Sequence, residues 1–88
     1  MALPWWLAGY DRTDVERVLR RLDVRERVTL QGSDADIASR LVRNRYIDGQ
    51  IESTVVESDG PVLIAIASDG LTEMGNALLR GFRSDDGI

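Results

Sequence analysis

The side chains best suited to recognise another molecule lie close together in the stretch SRLVRNR, at positions 39–45. An arginine can donate two parallel hydrogen bonds to guanine, and an asparagine can do the same for adenine. The same residue types are also common on the solvated face of an ordinary amphipathic helix, and by residue type alone that interpretation is the commoner one. We call the following residues the 39–45 cluster: Ser39, Arg40, Arg43, Asn44 and Arg45.

The composition excludes most catalytic chemistry. The 88 residues include no cysteine and no histidine, so the chain lacks thiolate metal ligands, disulfides and the commonest general base. An enzyme would have to depend on carboxylates, and the acidic residues form no recognisable catalytic pair. We therefore expect no catalytic residue, no bound metal and no cofactor, and we predict that the chain is not an enzyme.

The length and the hydropathy pattern place further limits. A chain of 88 residues has room for one domain with a single modest core. No stretch approaches the roughly 20 apolar residues of a membrane span, and positions 1–10 lack the basic flank and cleavage pattern of a signal peptide. We expect a cytoplasmic protein that does not associate with membranes.

Two helices should precede any strand pairing. Thr13 and Glu16 have the spacing of a capping box, and apolar residues follow at helical intervals, so we predict a helix over 13–25. A short extended piece over 28–30 comes next, and Gly32 ends it.

The second predicted helix must position the 39–45 cluster. Ser33 is a suitable N-cap, and Ile37 and Leu41 belong to an apolar stripe at helical spacing. We therefore predict a helix over 34–44, with the cluster on its solvent side.

The pattern changes after position 50. Residues 50–58 alternate in polarity, residues 61–68 form an apolar run, and Asp59-Gly60 between them is a strong hairpin signal. Thr72 should cap a final short helix, and residues 81–88 should form a frayed tail. These elements predict an α+β fold, a helical bundle with a two-stranded β-hairpin and a C-terminal helix.

An aromatic N-terminal arm, residues 1–12, precedes the first helix. Large rings are more often packed onto their own core than left exposed, and that is the simpler expectation for Trp5 and Trp6. The alternative is an interface with a partner or a second copy, because exposed tryptophans promote association. Leu63 and Ala65 could extend such an interface, since their strand has no polar face.

The closing half of the chain resembles that of small winged helix-turn-helix proteins of bacteria, archaea and their viruses. In that pattern an aromatic-aliphatic pair and a glycine precede the hairpin, and a Leu-Thr-acid-x-Gly motif opens the last helix. The resemblance implies a single winged-helix domain over 1–88, in which the helix over 34–44 is the recognition helix. The matching residues are Tyr46, Ile47, Gly49, Leu71, Thr72, Glu73 and Gly75.

The resemblance departs from the family pattern at one place. Family members have a short separate helix before the recognition helix, and here only about residues 28–32 are available for it. Either that helix is degenerate, or the segment around Trp5 and Trp6 supplies a substitute element elsewhere in the bundle.

Two functions follow from the resemblance. The first is a transcriptional regulatory domain that reads the major groove of duplex DNA through the 39–45 cluster, acting as a dimer. The second is a protein-protein interaction module that docks a host or partner protein without binding DNA.

Charge counts against DNA. The chain has a net charge of −4, and residues 46–79 contain six acids and no basic residue, so a hairpin wing there should repel phosphate. Asp34 and Asp36 also lie at the end of the recognition helix that would approach the duplex first. DNA binding would therefore have to come from the helical half, would be weak for one monomer, and would gain from a dimer.

Overall fold

The computed structural model describes residues 3–57 and 60–86. The protein is α+β, as the sequence predicts. In order, the elements are a short 3₁₀ helix η1 (Trp5–Leu7), α1 (Arg12–Leu22), β1 (Arg27–Gln31), α2 (Gly32–Arg43), β2 (Ile47–Glu57), β3 (Gly60–Leu71) and α3 (Glu73–Asp86).

The strands form one antiparallel sheet in the order β1-β3-β2. The predicted hairpin is present, although its turn residues Ser58 and Asp59 lie outside the described residues. The predicted extended piece at 28–30 is also present, as part of β1, and it forms a third strand of the sheet by pairing along the other edge of β3, which the sequence did not predict. In β1 the residues alternate between exposed and buried, so each residue that faces the helices is apolar.

The core lies between one face of the sheet and the three α-helices. The predicted apolar stripes of α1 and α2 both point into it, and β3 contributes Ile64 and Ile66. Burial of this apolar area is the main stabilising contribution in a domain of this size. The largest fully buried side chains include Leu7, Leu19, Leu22, Leu30, Ile37, Leu41, Ile64, Ile66 and Phe82.

The first helix begins differently from the prediction. Asp11 is the N-cap, and its carboxylate accepts a hydrogen bond of 2.9 Å from the amide of Thr13. The predicted capping box is therefore wrong, and Glu16 instead binds Arg20 one turn later at 2.8 Å. The helix ends at Leu22, three residues earlier than predicted.

No helix lies between α1 and α2. The whole connection is described, and it consists of bends followed by β1. The short helix that the resemblance implies before α2 is therefore absent from this connection, where a strand lies instead. The segment that contacts α2 from outside the bundle is η1, at the N-terminus.

The last helix is capped as predicted and is longer than predicted. Thr72 accepts a hydrogen bond of 3.2 Å from the amide of Gly75 through its hydroxyl oxygen. The helix continues to Asp86, and Phe82 is buried in the core. Residues 81–86, predicted as a frayed tail, are part of this helix in the structure, and residues 87 and 88 lie outside the described residues. Over the described residues, no helix is long and apolar enough to cross a membrane.

Candidate nucleic-acid interface

The chain leaves α2 through a left-handed residue. Arg45 has φ 62°, and its amide donates to the carbonyl of Val42 at 3.1 Å, while the amide of Tyr46 donates to Leu41 at 2.9 Å. This pair of hydrogen bonds is the Schellman arrangement that satisfies the last carbonyls of a helix. The hydroxyl of Thr72 donates to the carbonyl of Arg45 at 2.6 Å, so the left-handed turn is fixed to the start of α3.

A groove separates α2 from the hairpin. Its volume is about 310 Å³. The side chains that line it are polar on the α2 wall, whereas the β2 wall has one polar and one apolar side chain. Four members of the 39–45 cluster line this groove. Their neighbours on β2 were not predicted from the sequence. The alternation in β2 places these neighbours on the helix side of the sheet. The lining residues are Asp36, Ser39, Arg40, Arg43, Asn44, Thr54 and Val56.

Two members of the cluster, Ser39 and Asn44, differ in exposure and in contacts within the fold. Ser39 is only 5% exposed, so its predicted place on the solvent side of the helix is wrong. The cause is a contact between segments far apart in the chain, since the hairpin lies against the side of α2 that carries Ser39. Asn44 is exposed, but its side-chain amide donates to the carbonyl of Arg40 at 2.8 Å and so closes the end of the helix.

Arg40 connects α2 to the N-terminal segment. Its Nε donates to the carboxylate of Asp36 at 3.3 Å, and its Nη1 donates to the carbonyl of Trp6 at 3.2 Å. Its guanidinium also lies 5.7 Å from the ring centre of Tyr10, within the range of a cation–π contact. These three contacts identify Arg40 as an internal clamp.

Arg43 and Arg45 are the two cluster members with unoccupied guanidinium groups. Both are exposed, and neither guanidinium makes a hydrogen bond or ion pair with the residues that the structure describes. Arg43 lies in the groove, and Arg45 follows it beyond the helix end.

The acidic residues of α2 are paired internally. Asp34 accepts from Arg17 of α1 at 2.7 Å, and Asp36 accepts from Arg40. The hydrogen bonds that Arg17 donates to Asp34 and, next in size, to Asp14 raise the pKa of its guanidinium above the ordinary value, so this arginine stays charged. The repulsion expected from Asp34 and Asp36 is therefore partly offset by neighbouring positive charge.

The residues predicted for a partner interface do not form one surface. Trp5 is 87% exposed, whereas Trp6 is half-buried and packs its ring edge-to-face against Tyr46 at 5.2 Å. Leu63 is half-buried, and Ala65 is only 5% exposed. The predicted role of Ala65 as an exposed contact is therefore wrong.

An ion pair connects the two edge strands across β3. Arg27 on β1 and Glu52 on β2 form an ion pair of 3.1 Å. Because β3 lies between these two strands, the pair crosses over the small residues of the central strand.

A larger cavity, of about 820 Å³, lies along α1. Its arginines are used within the protein: Arg17 and Arg20 form ion pairs, and Arg21 donates to the carbonyl of Thr29. Among the described residues, no group of three or more acidic, cysteine or histidine side chains could hold a metal ion. The groove beside α2 is therefore the better candidate for a binding site.

Comparison of the chain with protein-family models, curated proteins and solved structures gives no significant match.

Proposed function

We propose that this protein is a DNA-binding regulatory domain of the winged-helix type that places α2 against duplex DNA. One observation carries the proposal: both acids of α2 are paired internally, while Arg43 and Arg45 remain exposed and unpaired among the described residues. The end of α2 therefore offers two adjacent positive charges to a phosphate or a base edge.

The contacts of each arginine within the protein indicate which arginines of the cluster would bind DNA. Arg43 and Arg45 would touch DNA, whereas Arg40 would hold the N-terminal segment in place. With two phosphate contacts, the logarithm of the binding constant should fall with the logarithm of the salt concentration with a slope of about −2, and a dimer should double that slope. Binding by one monomer would be weak, so a regulator of this kind would act as a dimer.

Fluorescence anisotropy with a pool of labelled duplexes at low salt tests the proposal. The double variant Arg43→Ala with Arg45→Gly should lose binding, and Arg80→Ala is the matched control, because Arg80 is exposed on α3 away from the groove. If the wild-type protein binds no duplex at low salt, the proposal is wrong. The proposal is also wrong if Arg80→Ala loses as much affinity per charge removed as the double variant does. Binding would then depend on the overall charge of the protein and not on a site at the end of α2.

A second candidate is a protein-protein interaction module or homodimer formed through β2. Val55 and Val56 are 51% and 65% exposed, and β2 is an edge of the sheet, which leaves backbone groups on one side available to another strand. Sedimentation velocity over a range of concentrations tests this candidate. A mass that rises with concentration, and that Val56→Lys returns to the monomer value, supports it; a strict monomer argues against the homodimer.

A further inference from the structure

Trp5 is the most exposed of the large apolar side chains in the described part of the protein. Such a ring contributes a large favourable area when it is buried against a partner. Its neighbours differ from it, since Leu7 is fully buried and Trp6 packs on Tyr46. The side chains of Leu7 and Trp6 therefore anchor η1 to the rest of the protein, and Trp5 is not needed for this packing.

The backbone that carries Trp5 is held in place. The amide of Leu7 donates to the carbonyl of Pro4 at 2.9 Å, and the amide of Ala8 donates to the carbonyl of Trp5 at 3.2 Å. Arg40 fixes the carbonyl of Trp6 from α2. Because the backbone at Trp5 is already ordered, little backbone conformational freedom would be lost when Trp5 binds a partner, and this favours affinity.

Trp5 is connected to the proposed DNA-contact surface through its neighbour Trp6, whose ring packs on Tyr46, the residue that follows Arg45. It is adjacent in the chain to Trp6, whose carbonyl is bound by Arg40, and Arg43 lies one helical turn further along α2. Residues 3–10 carry no charged side chain, so no acidic group of this segment would repel a phosphate.

We propose that Trp5 stacks on an unpaired base of a nucleic acid whose phosphates are held by Arg43 and Arg45. This inference rests on the proposed function and adds the class of substrate, namely DNA in which a single-stranded stretch adjoins a duplex. An exposed aromatic face together with two unpaired arginines matches the two parts of a nucleotide, since bases stack on aromatic rings and phosphates bind arginine. A fully paired duplex offers no free base face to Trp5.

The test compares two labelled DNAs with the same number of phosphates, a blunt duplex and a shorter duplex with an unpaired overhang. The wild-type protein should prefer the overhang, and Trp5→Ala should remove about tenfold of its affinity for that DNA while leaving blunt-duplex affinity unchanged. Trp5→Phe should retain most of the preference. Met74→Ala is the control for loss of an exposed apolar side chain, because Met74 is half-exposed on α3.

A second readout follows the ring itself. In a Trp6→Phe background Trp5 is the remaining tryptophan, and its fluorescence should be quenched by the overhang and not by the blunt duplex. If Arg43→Ala weakens duplex binding while Trp5→Ala and the fluorescence show no dependence on the overhang, the inference fails and the proposed function stands. If the wild-type protein binds neither DNA, both fail. If Trp5→Ala abolishes self-association instead, and no quenching occurs, Trp5 is a protein contact and the inference is overturned.

Discussion

Gly75, in the first turn of α3, packs directly against the carbonyl oxygen of Tyr46, so closely that a Cβ at position 75 would overlap this oxygen. The amide of Thr72 donates to the same carbonyl at 3.2 Å. The start of α3 is thereby seated on the turn that ends α2. This contact explains physically why the Tyr-Ile-x-Gly and Leu-Thr-Glu-x-Gly segments occur together in one chain.

Gly75→Ala should destabilise the protein, although alanine is the better helix former by about 1 kcal/mol. The added methyl group meets backbone atoms, which cannot rotate away, so we expect a net loss of about 1–3 kcal/mol in the free energy of unfolding. Urea denaturation measures this value. Asn76→Ala, at the exposed next position, is the control and should stay within about 0.5 kcal/mol of the wild type.

Thr72→Ala should cost about 1–2 kcal/mol of stability, because the hydroxyl both caps α3 and donates to the carbonyl of Arg45. Thr72→Ser keeps the hydroxyl and should remain close to the wild type. Thermal unfolding of the two variants provides the comparison. Equal losses in both variants would show that the methyl group, and not the hydroxyl, matters at this position.

Arg45 allows stability and charge to be separated at one position. Because a left-handed backbone costs a residue with a Cβ about 1 kcal/mol or more, Arg45→Gly should be about 1 kcal/mol more stable than Arg45→Ala. Both variants lose the same charge, so their affinities for duplex DNA should fall equally. Denaturation and anisotropy on the two proteins provide the measurements. Equal stability of the alanine and glycine variants would contradict the left-handed conformation.

Local patterns in the sequence predicted most of the secondary structure. The apolar stripes of α1 and α2, the hairpin and the Thr72 cap depend on residues a few positions apart, and such signals can be found by spacing alone. The pairing of Val28 with Ile66 and of Leu30 with Ile64 could not be found in this way. The five residues of β1 are too short a signal, and their partners lie more than thirty positions away.

The same distinction applies to the candidate site. Arginine at 40 and at 43 looks equivalent in the sequence, because both residues face outward from one helix. Their roles differ because Trp6, 34 residues before Arg40, offers a carbonyl to one of them only. Ser39 was misplaced for a similar reason, since the cover over it comes from the distant strand that carries Thr54 and Val56.

The different roles of Arg40 and Arg43 give the last prediction. Arg40→Ala removes an ion pair, a hydrogen bond to the Trp6 carbonyl and a cation–π contact, so we expect a loss of about 1–2 kcal/mol in stability. Arg43→Ala removes no hydrogen bond, ion pair or ring contact with the described residues, and the stability of this variant should differ from the wild type by less than about 0.5 kcal/mol.

Tryptophan fluorescence distinguishes the clamp from a general loss of stability. In a Trp5→Phe background only Trp6 reports, and loss of the Arg40 clamp should shift its emission to the red as η1 loosens from Tyr46. Arg43→Ala should leave the emission unchanged while it weakens binding to duplex DNA. An equal red shift in both variants would mean that η1 is not held by Arg40, and the proposed separation of clamp and contact would then be wrong.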